Sequence, residues 1–370
     1  MASKLILHIG LQKSGTTFLQ HMLQTNAETL ADAGVRYPIP PDWDRGRRTV
    51  ANHEWSSYGL LGTEYPWVSE GRAAREAPGW EALRDDVRES PGTVLLSAEA
   101  LSVVRGPAVR RLLESLGTAD VEVVVTARSL GRALPSLWQQ HIRNGRSTTF
   151  GGYLGGLAAH RDKGPDHVEN ELDAHIWRAF TLSGLVRRWA AAGASRVTVV
   201  TSPGRPPELL WRRFVRAIGL PGLADVPPVR EEGVAHTGLT APETLVVAGL
   251  NDVMREQSWT GRSADRVRQL VTERFQTRDR RGGRVVVPPE WRERVAGWSR
   301  EDVAALPGTG AVVVGDVDDL AYVPERDGDR APTPEETAAA GAEAALAFAE
   351  LHLQESPIRR RARRLRRHLP

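Results

Sequence analysis

The sequence predicts an α/β fold in three layers: a central parallel sheet, helices on both faces, and a helical extension at the carboxyl end. Two observations carry this. Short apolar, β-branched runs recur at residues 5–9, Thr93–Ser97, Val121–Ala127 and Arg196–Thr201 without polar alternation, as strands buried on both faces require. Segments with apolar residues at helical spacing separate them, and strands alternating with helices build a parallel sheet through right-handed crossovers. At 370 residues, 41% of them hydrophobic and 26% charged, the chain can bury a large core and is not of disordered composition.

The elements follow in order. Leu5-Ile6-Leu7-His8-Ile9 is the first strand, and Gly10 ends it. From Thr16 onward, Phe18, Leu19, Met22, Leu23 and Leu30 fall on one helical face, with Gly34 as the stop. Residues 37–80 hold Trp43, Trp55, Trp67 and Trp80 among prolines and glycines and show no clear period; they read as a long excursion of the kind that forms lids or binding loops. The next strands are Thr93–Ser97 and Val121–Ala127. Pro135 and Ser136 read as the first turn of a helix, where a missing N–H costs nothing. A helix carrying Leu185, Val186 and Trp189 and closed by Gly193 leads into Arg196–Thr201, and an amphipathic helix spans 209–218. Val312-Val313-Val314 is a short strand. The Asp316, Asp318 and Asp319 that follow have no metal-loop spacing and read as a polar turn. An alanine-rich helix occupies about 334–353. The resulting division is an α/β domain over 1–330, with an insertion at about 37–90, and a helix with its tail over 331–370.

Composition narrows the function. The chain has no cysteine, which excludes disulfides, thiol nucleophiles and cysteine-ligated metals. No stretch approaches the length of a membrane span. Net charge is only +3, so basic character is local. It concentrates in the run from Arg359 to Arg367, which suits a solvated tail or weak contact with anionic lipid; without interleaved aromatics it carries no signature of specific nucleic-acid binding.

The chemistry lies at the strand ends. Gly10-Leu11-Gln12-Lys13-Ser14-Gly15-Thr16-Thr17-Phe18 joins the first strand to the first helix, bringing backbone N–H groups, a helix dipole and one ammonium to a small concavity suited to phosphate. The order is not that of Walker A, because the lysine precedes the second glycine. Further on, Arg128 ends the third strand and Ser136 follows eight residues later. A guanidinium fork and a hydroxyl so placed can hold a second phosphate. Lys-Ser-Gly-Thr-Thr followed by an aromatic resembles the 5′-phosphosulfate loop of sulfotransferases that use PAPS (3′-phosphoadenosine-5′-phosphosulfate), and the Arg128–Ser136 pair resembles the 3′-phosphate motif of the same family.

That resemblance implies a fold similar to P-loop nucleotide-binding proteins. With no apolar span the chain reads as a soluble, cytoplasmic form, and its skew from lysine (Lys4, Lys13 and Lys163) to arginine suits a GC-rich, bacterial coding background. It implies PAPS as co-substrate with no metal. Gln12, Lys13, Ser14, Gly15, Thr16 and Thr17 would line the 5′ site, and Arg128 and Ser136 the 3′ site. Phe18 would stack on adenine or join the core. The family's later glycine-rich 3′-phosphate loop has its place by order at 230–238, though the sequence there departs from the pattern.

Two residues compete for the base that the acceptor needs. Glu99 stands just past the second strand in a Ser-x-Glu element that resembles carbohydrate-type sulfotransferases, and a carboxylate needs no large shift to accept a proton at pH 7. His53, in Asn-His-Glu-Trp, is the rival, since small-molecule sulfotransferases use a histidine. The tryptophans of the excursion can stack on a sugar acceptor or pack as core. Expected acceptors are a hydroxyl, or an amine, of a carbohydrate, glycolipid or small metabolite. The alternatives are a kinase using ATP·Mg²⁺, disfavoured by the lysine's place in the loop, and a nucleotide-binding scaffold without chemistry.

Overall fold

The computed structural model describes residues 2–40, 51–227, 238–278, 281–326 and 330–354. Six strands form one wholly parallel sheet: β1 (Lys4–His8), β2 (Val35–Arg36), β3 (Thr93–Ser97), β4 (Val121–Ala127), β5 (Arg196–Thr201) and β6 (Val312–Val314), in the order β2-β3-β1-β4-β5-β6. The α/β class, the parallel sheet and the helix at Pro334–Gln354 are as the sequence predicts.

The chain divides into two compact units. The first comprises residues 1–133, 154–232 and 290–324 and contains the sheet; the second comprises 134–153, 233–289 and 325–370. In the first unit, Ile6, Leu95, Val124 and Val200 point to one face of the sheet. There they meet Leu19, Met22 and Leu23 of helix Thr16–Thr25 and Leu210, Trp211 and Phe214 of helix Pro207–Ala217. The alternate residues Leu5, Leu7, Val123, Val125 and Val199 are equally buried on the opposite face, as period-2 geometry demands. Helices Gly106–Leu116 and Leu182–Ala191 each bury an apolar stripe. In the second unit the capping box of Thr240 and Glu243 opens helix Ala241–Glu256, and Arg281 pairs with the fully buried Glu243 (2.8 Å).

Three elements differ from the sequence expectation. The first helix stops at Thr25, where the Asn26 side chain takes the Met22 carbonyl (2.8 Å), and a short helix Ala27–Asp32 follows. The described part of the excursion is largely helical, over Glu54–Leu61 and Glu70–Glu89. The longer helix buries only Trp80, Leu83 and Val87 and contains Pro78, so its apolar period is confined to its second half. The helix after β4 begins at Leu130, directly behind the strand, and runs to Arg143 with Pro135 inside it. Pro135 therefore does not open the helix, and Ser136 lies in its second turn. Among the described residues, no helix is long and apolar enough to cross a membrane. Trp43, most of the 230–238 segment and the arginine run from Arg359 to Arg367 lie outside the described residues.

Candidate active site

The strand order fixes where a ligand belongs. The chain leaves β1 towards β2 and β3 but leaves β4 towards β5, so the crevice between the carboxyl ends of β1 and β4 is the topological switch point. The loops from these two strands carry Lys13 and Arg128.

A buried polar plug supports them from below. His8, at the end of β1, places Nδ1 2.9 Å from Ser97 Oγ of β3 and Nε2 3.2 Å from Thr126 Oγ1 of β4. Gln20 donates to Ser97 Oγ (3.1 Å), and Ser14 Oγ lies 2.7 Å from Thr126 Oγ1. Burial pushes the His8 imidazole down to about 3, so it is neutral at physiological pH. His8 had no evident partner in the sequence; its partners come from two other strands.

Over this plug the chain turns tightly. Leu11 N–H donates to the Thr126 carbonyl (2.8 Å), and Ser14 returns both its N–H (3.1 Å) and its hydroxyl (2.6 Å) to the Leu11 carbonyl. Lys13 is left-handed at φ 68°, and Gly15 follows at φ 101°. Ser14 is thus spent inside the loop, whereas the first N–H groups of helix Thr16–Thr25 have no acceptor within the helix. The φ of Gly15 disfavours any other residue, and a Cβ there would also press on the flexible end of Leu210, 2.5 Å from Cδ2. Gln12 and Lys13 are half-buried and Thr17 is exposed. Phe18 is half-buried and packs against the core cluster.

Arg128 follows β4 and donates from its guanidinium to the Lys13 carbonyl (3.2 Å), tying the two loops together across the switch point. Ser136 lies further along the next helix, in the part that belongs to the second unit.

Glu99 opens a 3-10 turn, Glu99–Val103, two residues after β3. The Thr16 hydroxyl donates to Glu99 Oε2, so the carboxyl is held against the same helix N-terminus that follows the lysine turn. Burial pushes it up to about 7; the Glu54 carboxylate adds to the rise, while the Thr16 hydroxyl and the Lys13 ammonium pull against it.

His53 is placed differently. The Ser97 N–H donates to His53 Nδ1 (2.9 Å), which must therefore carry a lone pair; Nε2, 2.7 Å from the Pro38 carbonyl, must then carry the hydrogen. With its own N–H on the Ser97 carbonyl (2.9 Å), His53 clamps the end of β3. Of the tryptophans, Trp80 is buried with Nε1 on Ser115 Oγ (3.2 Å), Trp55 is half-buried under Arg72, and Trp67 is 39% exposed.

Sequence reasoning missed the plug and the carboxylate neighbour Glu54. The only signal for the plug was a polar residue at or near the carboxyl end of each of three apolar strands: His8, Ser97 and Thr126. Asp319, one of the aspartates after β6, pairs with Arg213 (2.5 Å) and takes the Thr201 hydroxyl (2.9 Å), which makes that turn a structural lock. Among the described residues, no group of His, Asp and Glu is arranged to hold a metal ion.

Comparison with known proteins adds one likeness. No family model matches the chain, and no curated protein matches it significantly. Among solved structures, the chain is similar to a sulfotransferase from Alicyclobacillus acidocaldarius at 14% identity and a TM-score of 0.37, over 72% of this chain and 99% of that one.

Proposed function

We propose that the protein transfers a sulfuryl group from PAPS to a hydroxyl, or an amine, of a carbohydrate, glycolipid or small metabolite. The observation that carries this reading is the convergence on one crevice of the Lys13 turn, the Arg128 guanidinium and the Glu99 carboxyl, two cationic grips and a proton acceptor. A phosphate-binding module needs the grips but has no use for the acceptor.

Sulfuryl transfer is an in-line displacement at sulfur. The bond from sulfur to the bridging oxygen breaks, a bond from sulfur to the acceptor atom forms, and the acceptor loses a proton. Lys13 neutralises the charge that collects on the bridging oxygen and the 5′-phosphate, and backbone N–H groups from Gly15 to Thr17 hold the phosphosulfate. Arg128 takes the 3′-phosphate, the group that separates PAPS from ATP-like ligands. Ser136 remains a 3′-phosphate residue by its spacing from Arg128 alone. Glu99 takes the acceptor proton. Thr16 holds its Oε2, and Oε1 is the atom we assign to the acceptor. His53, with one ring nitrogen accepting and the other donating, has no capacity left for that proton and is assigned to holding β3.

The test is transfer from ³⁵S-PAPS into acceptors of a cell extract by wild type and Glu99→Gln. Glu99→Gln should lose at least ~100-fold in rate, the scale of a lost general base, and keep 3′,5′-ADP binding. A fully active Glu99→Gln would remove Glu99 from the role of base.

A further inference from the structure

One ionisable group beside Glu99 has no part in this scheme. Glu54 opens helix Glu54–Leu61, and His53 before it is bound to both the N–H and the carbonyl of Ser97. Glu99 is two residues past Ser97, so this clamp sets the first turn of helix Glu54–Leu61 beside the turn that carries Glu99. The Glu54 side chain is itself held. Tyr58, one turn later, donates its hydroxyl to Glu54 Oε1, and Trp67 Nε1 donates to the Tyr58 oxygen (3.0 Å). The Asn52 side chain takes the Glu54 N–H (3.0 Å). Gly59 lets the next helix approach closely, since a Cβ there would meet Glu76 and lie 2.7 Å from Ala77 Cα. The helix cannot tilt away without breaking these contacts.

We propose that Glu54 is a positioning residue for the transfer step, its fixed carboxylate governing how readily Glu99 takes the acceptor's proton. The proposal rests on the reading of Glu99 as base. Two carboxylates at close quarters do not ionise independently, and the charge of one favours the protonated form of the other. Three groups act on Glu99 besides burial: Glu54 from its helix, Lys13 from the β1 loop, and Thr16 from helix Thr16–Thr25. Of these only Glu54 raises it. Arg72 lies over the Tyr58 ring (4.8 Å) and the Trp55 ring (5.3 Å) on the same side of that helix. The outcome is a base poised near neutral pH, where its ionised fraction and its affinity for the proton are both useful.

The experiment compares Glu54→Gln, whose amide oxygen still accepts from Tyr58, with Glu54→Asp, which keeps the charge. Glu99 is titrated by carboxyl ¹³C NMR in the full-length protein without nucleotide or acceptor, and the acid limb of kcat/KM is recorded alongside. In Glu54→Gln both midpoints should fall together by on the order of 1 pH unit, and Glu54→Asp, which keeps a charge at shorter reach, should lower both by less. A purely structural role would lower activity at every pH without moving either midpoint. A folded Glu54→Gln whose Glu99 midpoint stays in place overturns the proposal. Because the titration needs no substrate, a protein that shows the shift yet transfers no sulfuryl group refutes the functional reading and leaves the coupling of Glu54 to Glu99 standing.

Discussion

Lys13 pairs the charge proposed to meet the phosphosulfate with an unfavourable backbone, and the two can be separated. At φ 68° it occupies the left-handed region, which costs an ordinary L-residue about 1–2 kcal/mol. Glycine escapes that cost but loses more chain entropy on folding, about 0.5–1 kcal/mol. Lys13→Gly and Lys13→Ala both delete the ammonium, and both keep the carbonyl that Arg128 grips. Their difference therefore isolates the backbone. The glycine variant should be the more stable by about 0.5–1 kcal/mol, or about 1–4 °C in melting temperature at ~2–4 °C per kcal/mol. Paired thermal melts and urea titrations measure it. Both variants should lose the stabilisation that 3′,5′-ADP gives the wild type, because both lack the ammonium proposed to meet the 5′-phosphate. An alanine variant equal to or more stable than the glycine variant would show that the turn is not held left-handed, and the loop geometry argued above would fall with it.

Other consequences are more direct. Burial pushes the Glu99 carboxyl up to about 7 in the folded protein from an ordinary 4.5. The folded state therefore binds the extra proton, and this contribution to stability is full below 4.5 and lost as pH rises through 7. Glu99→Gln, which cannot ionise, should gain melting temperature relative to wild type between pH 5 and pH 8; a gap that is the same at both pH values contradicts the shift. Gly10 faces Thr126 Oγ1, with Thr16 Cγ2 at 2.6 Å and His8 Nε2 at 2.8 Å from where a Cβ would sit. Gly10→Ala should cost about 1–3 kcal/mol by overpacking and weaken 3′,5′-ADP binding; a variant with unchanged urea midpoint would mean the plug is loose.

Much of the fold was legible because it depends on local pattern. The four longer strands are continuous apolar runs, and Gly15 and Gly34 mark turns that glycine alone makes cheaply. β2 was missed because its two residues, Val35 and Arg36, leave no pattern to read. The helix Glu70–Glu89 was missed because it is polar almost throughout. Pro135 misled for a different reason: proline favours a first turn, but Leu130 can begin the helix directly behind β4, and the proline is carried inside. In the candidate site, the placement of Lys13, Arg128 and Glu99 just past strands β1, β4 and β3 was legible from the sequence. The non-local contacts could not be. His8 meets Ser97 and Thr126 only because β1 lies between β3 and β4, and nothing near His53 in sequence shows both its ring nitrogens engaged.

The central claim, that the crevice is built for a nucleotide with a 3′-phosphate, is tested most directly by thermal shift of wild type and Arg128→Ala with 3′,5′-ADP and with ATP·Mg²⁺. The wild type should be stabilised by 3′,5′-ADP and not by ATP·Mg²⁺. Arg128→Ala should lose that preference while keeping weak binding through the 5′-phosphate. Stabilisation of the wild type by ATP·Mg²⁺ but not by 3′,5′-ADP would contradict the account.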